Sequence, residues 1–240
     1  MILKRAIILI AVMLSACSQP HEYTPEEKKY IATHTVEWCA RTTSYPYEFL
    51  NEEGHIIGLS TDYLNLISKK SGIRFRISTQ GTMVECQALL KAKTTQMVSA
   101  VRPTPERSVY STFTRPYMYV ETVMLKAVNE PKSVGIGRSY AVKIYLMNDR
   151  KDLVIHEYVD DEQSLQAMLS GKIDSVIMDT ESAKMLKKKY RLEVDQTTVP
   201  FEYPLSFAFR PEDLVLRGIF DKAISDISTS EHERIRRKWM

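Results

Sequence analysis

Apolar and polar positions change period repeatedly along this chain, from alternation to a 3.6-residue repeat and back. Ile31 to Trp38 predicts a first strand, followed by a loop from Ala40 to Pro46, an extended Tyr47 to Leu50 and a turn at Glu52-Glu53-Gly54. A helix is expected from Thr61 to Lys70: Thr61 can cap it, Tyr63, Leu64 and Ile67 share a face, and Gly72 ends it. Ile73, Phe75 and Ile77 alternate as a strand, Val84 to Ala92 reads as a helix, and Met97 to Val101 as a buried strand. Thr114-Arg115-Pro116-Tyr117 breaks the pattern before an extended apolar run from Val120 to Ala127.

A second set begins at Ser133. Val134 and Ile136 are strand-like, Tyr140 to Met147 helical, and Leu153, Ile155 and Tyr158 strand-like again. Asp160 to Ser170 is a marked helix, with Asp160 and Gln163 in capping-box spacing and Gly171 as terminator. Ser175 to Met178 is a short buried strand ending at Asp179, after which Thr180 caps a helix through Lys189. Leu205 to Phe209 is a further strand. Leu216 to Ile227 keeps helical period after Pro211, and a last helix, capped by Ser230 with Glu233, buries Ile235 and Trp239. Strands alternating with helices predict an α/β fold with a largely parallel sheet.

The N-terminal pattern is of another kind. Lys4 and Arg5 precede an apolar stretch from Ala6 to Leu14, too short to cross a bilayer core of about 30 Å, and Leu14-Ser15-Ala16-Cys17 closes it. Residues 1–16 therefore read as a secretory signal peptide. The closing four residues resemble the bacterial lipobox, which implies lipidation of Cys17; the alternative is an ordinary cleaved signal with a nearby cysteine. Ser18 in place of Asp favours outer-membrane anchoring if the cell is Gram-negative. The polar stretch that follows, with Pro20 and Pro25, makes residues 17–30 a lipid-anchored tether.

Composition narrows the function. Hydrophobic content of 44%, charged content of 26% and a net charge of +3 are ordinary for a globular protein. The basic run Lys184 to Arg191 reads as a solvated helix face, so nucleic acid is not an expected partner. Cys39 and Cys86 would lie in an oxidising compartment, where a disulfide between them is expected. The five histidines are isolated, so neither a metal site nor a cofactor is expected.

Four stretches occur in a telling order: Tyr45-Pro46-Tyr47-Glu48-Phe49 with Gly54 and Gly58; Thr104-Pro105-Glu106-Arg107 with Phe113 to Tyr117; Ser164-Leu165 with Ser170 to Asp174 and Met178-Asp179; and Ile235 with Lys238-Trp239. Together they resemble the family-3 bacterial extracellular solute-binding proteins, which serve ABC importers and also occur as sensor domains. The resemblance implies a periplasmic-binding-protein-like fold of type II, two α/β lobes on a two-stranded hinge. Lobe 1 would comprise residues 31–124 plus 207–240, and lobe 2 residues 125–206.

The same resemblance assigns a ligand site. Arg107 falls where the family binds a carboxylate, its alternative being a surface position beside Glu106. Asp179 falls where the family binds an ammonium group, its alternative being a companion cap to Thr180. Arg102 departs from the family's small hydroxyl residue. It either favours a ligand with extra negative charge, or needs a protein carboxylate, or points out of the cleft. Ala100 replaces a serine. Ser139 and Tyr140 stand at the turn opening lobe 2, with Gly137 displaced from its expected slot. Of Tyr45 and Tyr47, one would stack on the ligand and the other belong to the core, and Met83 would be a soft wall. The expected protein is a monomeric, lipid-anchored, periplasmic or otherwise extracytoplasmic solute-binding protein. It would capture an amino acid or related carboxylate for an ABC permease. The alternative is a ligand-sensing accessory of a membrane-bound histidine kinase or diguanylate cyclase. No nucleophile–base arrangement marks an enzyme, and none is expected.

Overall fold

The computed structural model describes residues 20–240, so Cys17 and the signal segment lie outside the described residues. It opens with a helix where a tether was expected. Helix α1 (Pro25–Thr33) starts at a reciprocal cap: Glu27 N donates to Thr24 Oγ1 at 3.2 Å, and Thr24 N donates to the Glu27 carboxylate at 2.7 Å. Tyr23, Tyr30 and Ile31 then bury part of their surface against the first core. The strand expected from Ile31 is displaced accordingly, and β1 runs over Thr35–Arg41. A small antiparallel sheet follows, of β2 (Thr43–Ser44), β3 (Glu48–Leu50) and β4 (Ile56–Ile57).

Helix α2 (Leu59–Ser71) is capped by Gly58 and not by Thr61. At Gly58 φ is +134°, and a Cβ would sit 2.4 Å from the Tyr47 carbonyl oxygen, so only glycine lets the helix start this close to the preceding loop. Next come β5 (Arg74–Gly81), helix α3 (Met83–Lys91), β6 (Met97–Val101), the single turn α4 (Pro105–Ser108), β7 (Thr112–Phe113) and β8 (Met118–Lys126).

The second set comprises β9 (Ser133–Gly137), α5 (Val142–Asp149), β10 (Val154–Tyr158), α6 (Asp161–Leu169), β11 (Ser175–Asp179) and α7 (Thr180–Tyr190). The expected Asp160 cap is present, donated to by Gln163 N at 2.8 Å. Strand β12 (Asp195–Phe209) is far longer than the Leu205–Phe209 stretch that apolarity marks. Its first residues, Asp195 to Thr198, are exposed and polar. Pro200 lies in a register irregularity between Val199 and Tyr203, where a missing N–H is tolerated. Helices α8 (Leu214–Ser225) and α9 (Thr229–Trp239) complete the chain. Two overlapping capping boxes compete at α9, and the chain uses Ser228 with Glu231 in place of Ser230 with Glu233. Glu231 is also held by Lys70 at 2.9 Å.

Parallel pairing is confined to two groups, β5–β1–β6 and β10–β9–β11. Antiparallel β8 and β12 join them in the order β10-β9-β11-β8-β12-β6-β1-β5. The cores divide along these same two strands. On β8, Val120 belongs with Val36, Tyr63, Met97 and Phe207, whereas Val123 belongs with Leu165, Met168 and Val176. On β12, Leu205 lies in the first core, and Val199 lies with Val134, Ile136 and Leu146 in another cluster of the second half. Phe220 anchors the first core edge-on against Phe75, Phe207 and Phe209, at centroid distances of 5.6, 5.2 and 4.8 Å.

Cys39 on β1 and Cys86 on α3 form the expected disulfide, wholly buried beside Leu90 and Val98. It closes a loop with a sequence separation of 47. Replacing both cysteines by alanine is expected to cost about 2–4 kcal/mol, chiefly through the freer unfolded chain. Chemical denaturation of the double variant against the oxidised parent measures this.

Candidate functional site

Ligands of parallel α/β sheets lie beyond the carboxyl ends of the strands. Here the ends of β1, β6 and β11 deliver Arg41, Arg102 and Asp179 to one cavity of about 50 Å³ between the two halves. Arg107, Ser139 and Tyr140 also line it, as do Tyr45, Tyr47 and Met83. All eight expected residues therefore meet in one place.

Arg107 is no surface residue: it is 8% exposed. The turn of α4 holds its backbone, with Arg107 N donating to Thr104 Oγ1 at 3.2 Å. Its Nη1 donates to the Arg102 carbonyl at 2.8 Å and its Nη2 to the Ser139 carbonyl. The second bond crosses from one half to the other. Ser139 has a left-handed backbone, φ +64°, and its carbonyl meets the guanidinium. Burial lowers the Arg107 pKa, yet a guanidinium remains charged. The displaced Gly137 has its own cause: a Cβ there would lie 2.5 Å from Tyr140 Cζ, so the Tyr140 ring occupies that space.

Asp179 is 7% exposed and occupies the cap position of α7 without a side-chain capping bond. Thr180 does not cap either; its hydroxyl donates to the Glu121 carbonyl at 3.1 Å. The Asp179 carboxylate instead accepts from the Tyr203 hydroxyl. Burial pushes its pKa up to about 6, against the lowering pull of that hydrogen bond. Nearby Asp161, at the start of α6, is pushed up to about 7 by burial and by the Asp179 charge. Arg102 lines the cavity, with its guanidinium carbon 4.0 Å from the Phe201 ring centroid and 5.6 Å from that of Tyr203. Tyr47 belongs to the first core while its edge reaches the cavity. Tyr45 tilts against Phe49 at 5.0 Å, and its carbonyl accepts from Ser182 Oγ at 2.9 Å. That bond is a second tie between halves.

Sequence reasoning missed Arg41, Tyr203 and Ser182. Arg41 is 4% exposed, beside Glu48 at 0%. Glu48 accepts from Arg41 N at 2.9 Å and stands 3.7 Å from Arg41 Nε. Burial pushes the Glu48 pKa up to about 7, with Arg41 pulling the other way. Placing the first strand at 31–38 left Arg41 in a loop, when the strand-end rule was the signal that marks it. Tyr203 was hidden by the unread half of β12.

The family model of the bacterial extracellular solute-binding proteins, family 3, matches residues 36–240. The chain is 25% identical to the sensor protein EvgS of Escherichia coli (strain K12), covering 95% of this chain and 20% of that protein. It thus spans about a fifth of that relative's length. It is 23% identical to the arginine-binding periplasmic protein of Mannheimia haemolytica, over 81% of this chain and 86% of the relative. The periplasmic VFT2 domain of BvgS from Bordetella pertussis superposes with a TM-score of 0.83 at 20% identity, covering 92% of this chain and 100% of that domain. Among the described residues no helix is long and apolar enough to cross a membrane, and no cluster of His, Cys, Asp and Glu could hold a metal ion.

The buried carboxyls set a pH dependence. Glu48, Asp161 and Asp179 bind protons more tightly folded than unfolded, so their stabilisation is full below their unfolded values and is lost as pH rises through about 6 to 7. His232 opposes them, because burial lowers its pKa and costs stability as pH falls. With three groups against one, the melting temperature is expected to be higher at about pH 5.5 than at about pH 8. Asp161→Asn should flatten that slope in thermal melts across the range.

Proposed function

The chain belongs to the bacterial extracellular solute-binding proteins, family 3, and from that premise we infer that it captures a small polar solute in the cavity between its halves. The reading is of an amino acid or related carboxylate, held by Arg107 and Asp179. One observation carries it: oppositely charged, buried side chains from both halves converge on a single cavity beside β8 and β12. A solute there bridges the halves, and residues 31–124 with 207–240 close as one lobe on 125–206. Capture needs no bond-making chemistry, and none is assigned. The protein acts as a monomer outside the cytoplasm, anchored to a membrane through Cys17.

Delivery to an ABC permease is the first use, supported by the arginine-binding relative, which matches nearly end to end. The second is to present the closed form to a membrane-bound histidine kinase or diguanylate cyclase. It is favoured by similarity to EvgS, which extends over 95% of the chain against 81% for the arginine-binding protein. In a deletion strain the first use predicts lost uptake of labelled solute, and the second an altered kinase or cyclase reporter with uptake intact.

In a thermal-shift screen of amino acids, dicarboxylates and polyamines, a ligand at about 100 times its Kd should add about 2.7 kcal/mol of stability. Arg107→Ala should abolish that shift; an unchanged shift would remove Arg107 from the site. Cys17→Ala should move the protein from the membrane fraction to the soluble one, read by fractionation and blotting.

A further inference from the structure

The charges lining the cavity are unequal: Arg41, Arg102 and Arg107 stand against the single carboxylate of Asp179. Their hydrogen-bond state is unequal too. Arg107 spends one Nη on the Arg102 carbonyl and the other on the Ser139 carbonyl. Asp179 is taken by the Tyr203 hydroxyl. Arg41, by contrast, has Nε and Nη2 buried without an acceptor, and Arg102 has Nη1 in the same condition. Glu48 pairs with Arg41 in charge but stands 3.7 Å from Nε, beyond hydrogen-bond distance, bonds the Arg41 backbone, and leaves its own Oε1 buried without a donor.

A buried charged donor left without an acceptor forfeits its hydration without replacement, so the fold keeps one only at a penalty. Nε and Nη2 lie on one edge of the guanidinium, the edge that meets a carboxylate through two parallel bonds. The cavity of about 50 Å³ has room for only a few waters in this arrangement, so the halves must part for any solute, and a compact one displaces the lining least. A basic side chain placed there would meet three guanidiniums against one carboxylate; an acidic one would meet the donors that lack acceptors.

We propose that Arg41 is the specificity-determining residue of this cavity and that the solute is a compact dicarboxylate, with or without an amino group. One carboxylate of the solute takes the free edge of Arg41, and Arg102 Nη1 supplies a further donor. The proposal rests on the solute-capture reading above and names its ligand class.

The test is calorimetric titration of the purified protein with malonate, succinate, L-aspartate and L-glutamate, against L-arginine and L-histidine. At least one dicarboxylate should bind, and neither basic amino acid should. Succinate against L-aspartate decides whether the amino group contributes. Arg41→Gln should weaken binding by about tenfold or more, the loss expected for a charge-assisted pair. Because Arg41→Gln leaves Glu48 facing no cation, the double variant Arg41→Gln/Glu48→Gln is titrated beside it, and the wild-type panel stands without either variant. Binding of L-arginine or L-histidine without a dicarboxylate overturns the proposal and leaves solute capture standing. Dicarboxylate binding that both variants retain overturns the role of Arg41. Binding of none of the six overturns the dicarboxylate proposal, and the capture reading is decided separately by the wider thermal-shift screen.

Discussion

The pairing of β8 with β12 is the constraint on which the rest of the molecule depends. Among the described residues these two strands carry the chain from the first core to the second and back. Each strand serves both cores, so neither core is complete without residues from the joint. The irregular register between Val199 and Tyr203 falls where the cores part. Such a joint resists being pulled apart, because ladder bonds must break together, while it bends at modest cost.

The joint also explains where charge is buried. A charged side chain deep within either core would meet a large desolvation cost without compensation. At the seam, carbonyls and hydroxyls from the opposite half become acceptors and donors. Arg107 meets the Ser139 carbonyl, and Ser182 meets the Tyr45 carbonyl. These bonds hold the halves together and draw on groups that a solute would also use. On the reading proposed above, a solute and the halves would compete for some of the same donors.

Much of this was legible in sequence because the fold is written in periodicity. The short buried runs at Met97–Val101 and Ser175–Asp179, and the caps at Asp160 and Gly72, led to the right elements. The short motif around Arg107 led to a residue that lines the cavity through its resemblance to the family's motif and not through periodicity. Other features were not legible, for physical reasons. Strand β12 begins with exposed polar residues and carries two prolines, so local propensity argued against a ladder that tertiary pairing imposes. Helix α1 looked like a tether because its polar face dominates, and only Tyr23, Tyr30 and Ile31 reveal its contact with the first core. The shift of β1 by a few residues then concealed Arg41. Of two successive serine–glutamate boxes the second was expected to start α9; the first one forms, and its Glu231 also meets Lys70, a partner distant in sequence.

Helix α1 carries one more consequence. Glu27 binds Lys222 of α8 at 2.6 Å, and the His21 backbone N–H donates to the Asp226 carboxylate at 3.0 Å. From His21 onward the N-terminal segment is thus moored to the half that carries Arg107. Helix α1 therefore belongs mechanically to the half built around the first core, and a change in the angle between the halves would leave these contacts intact.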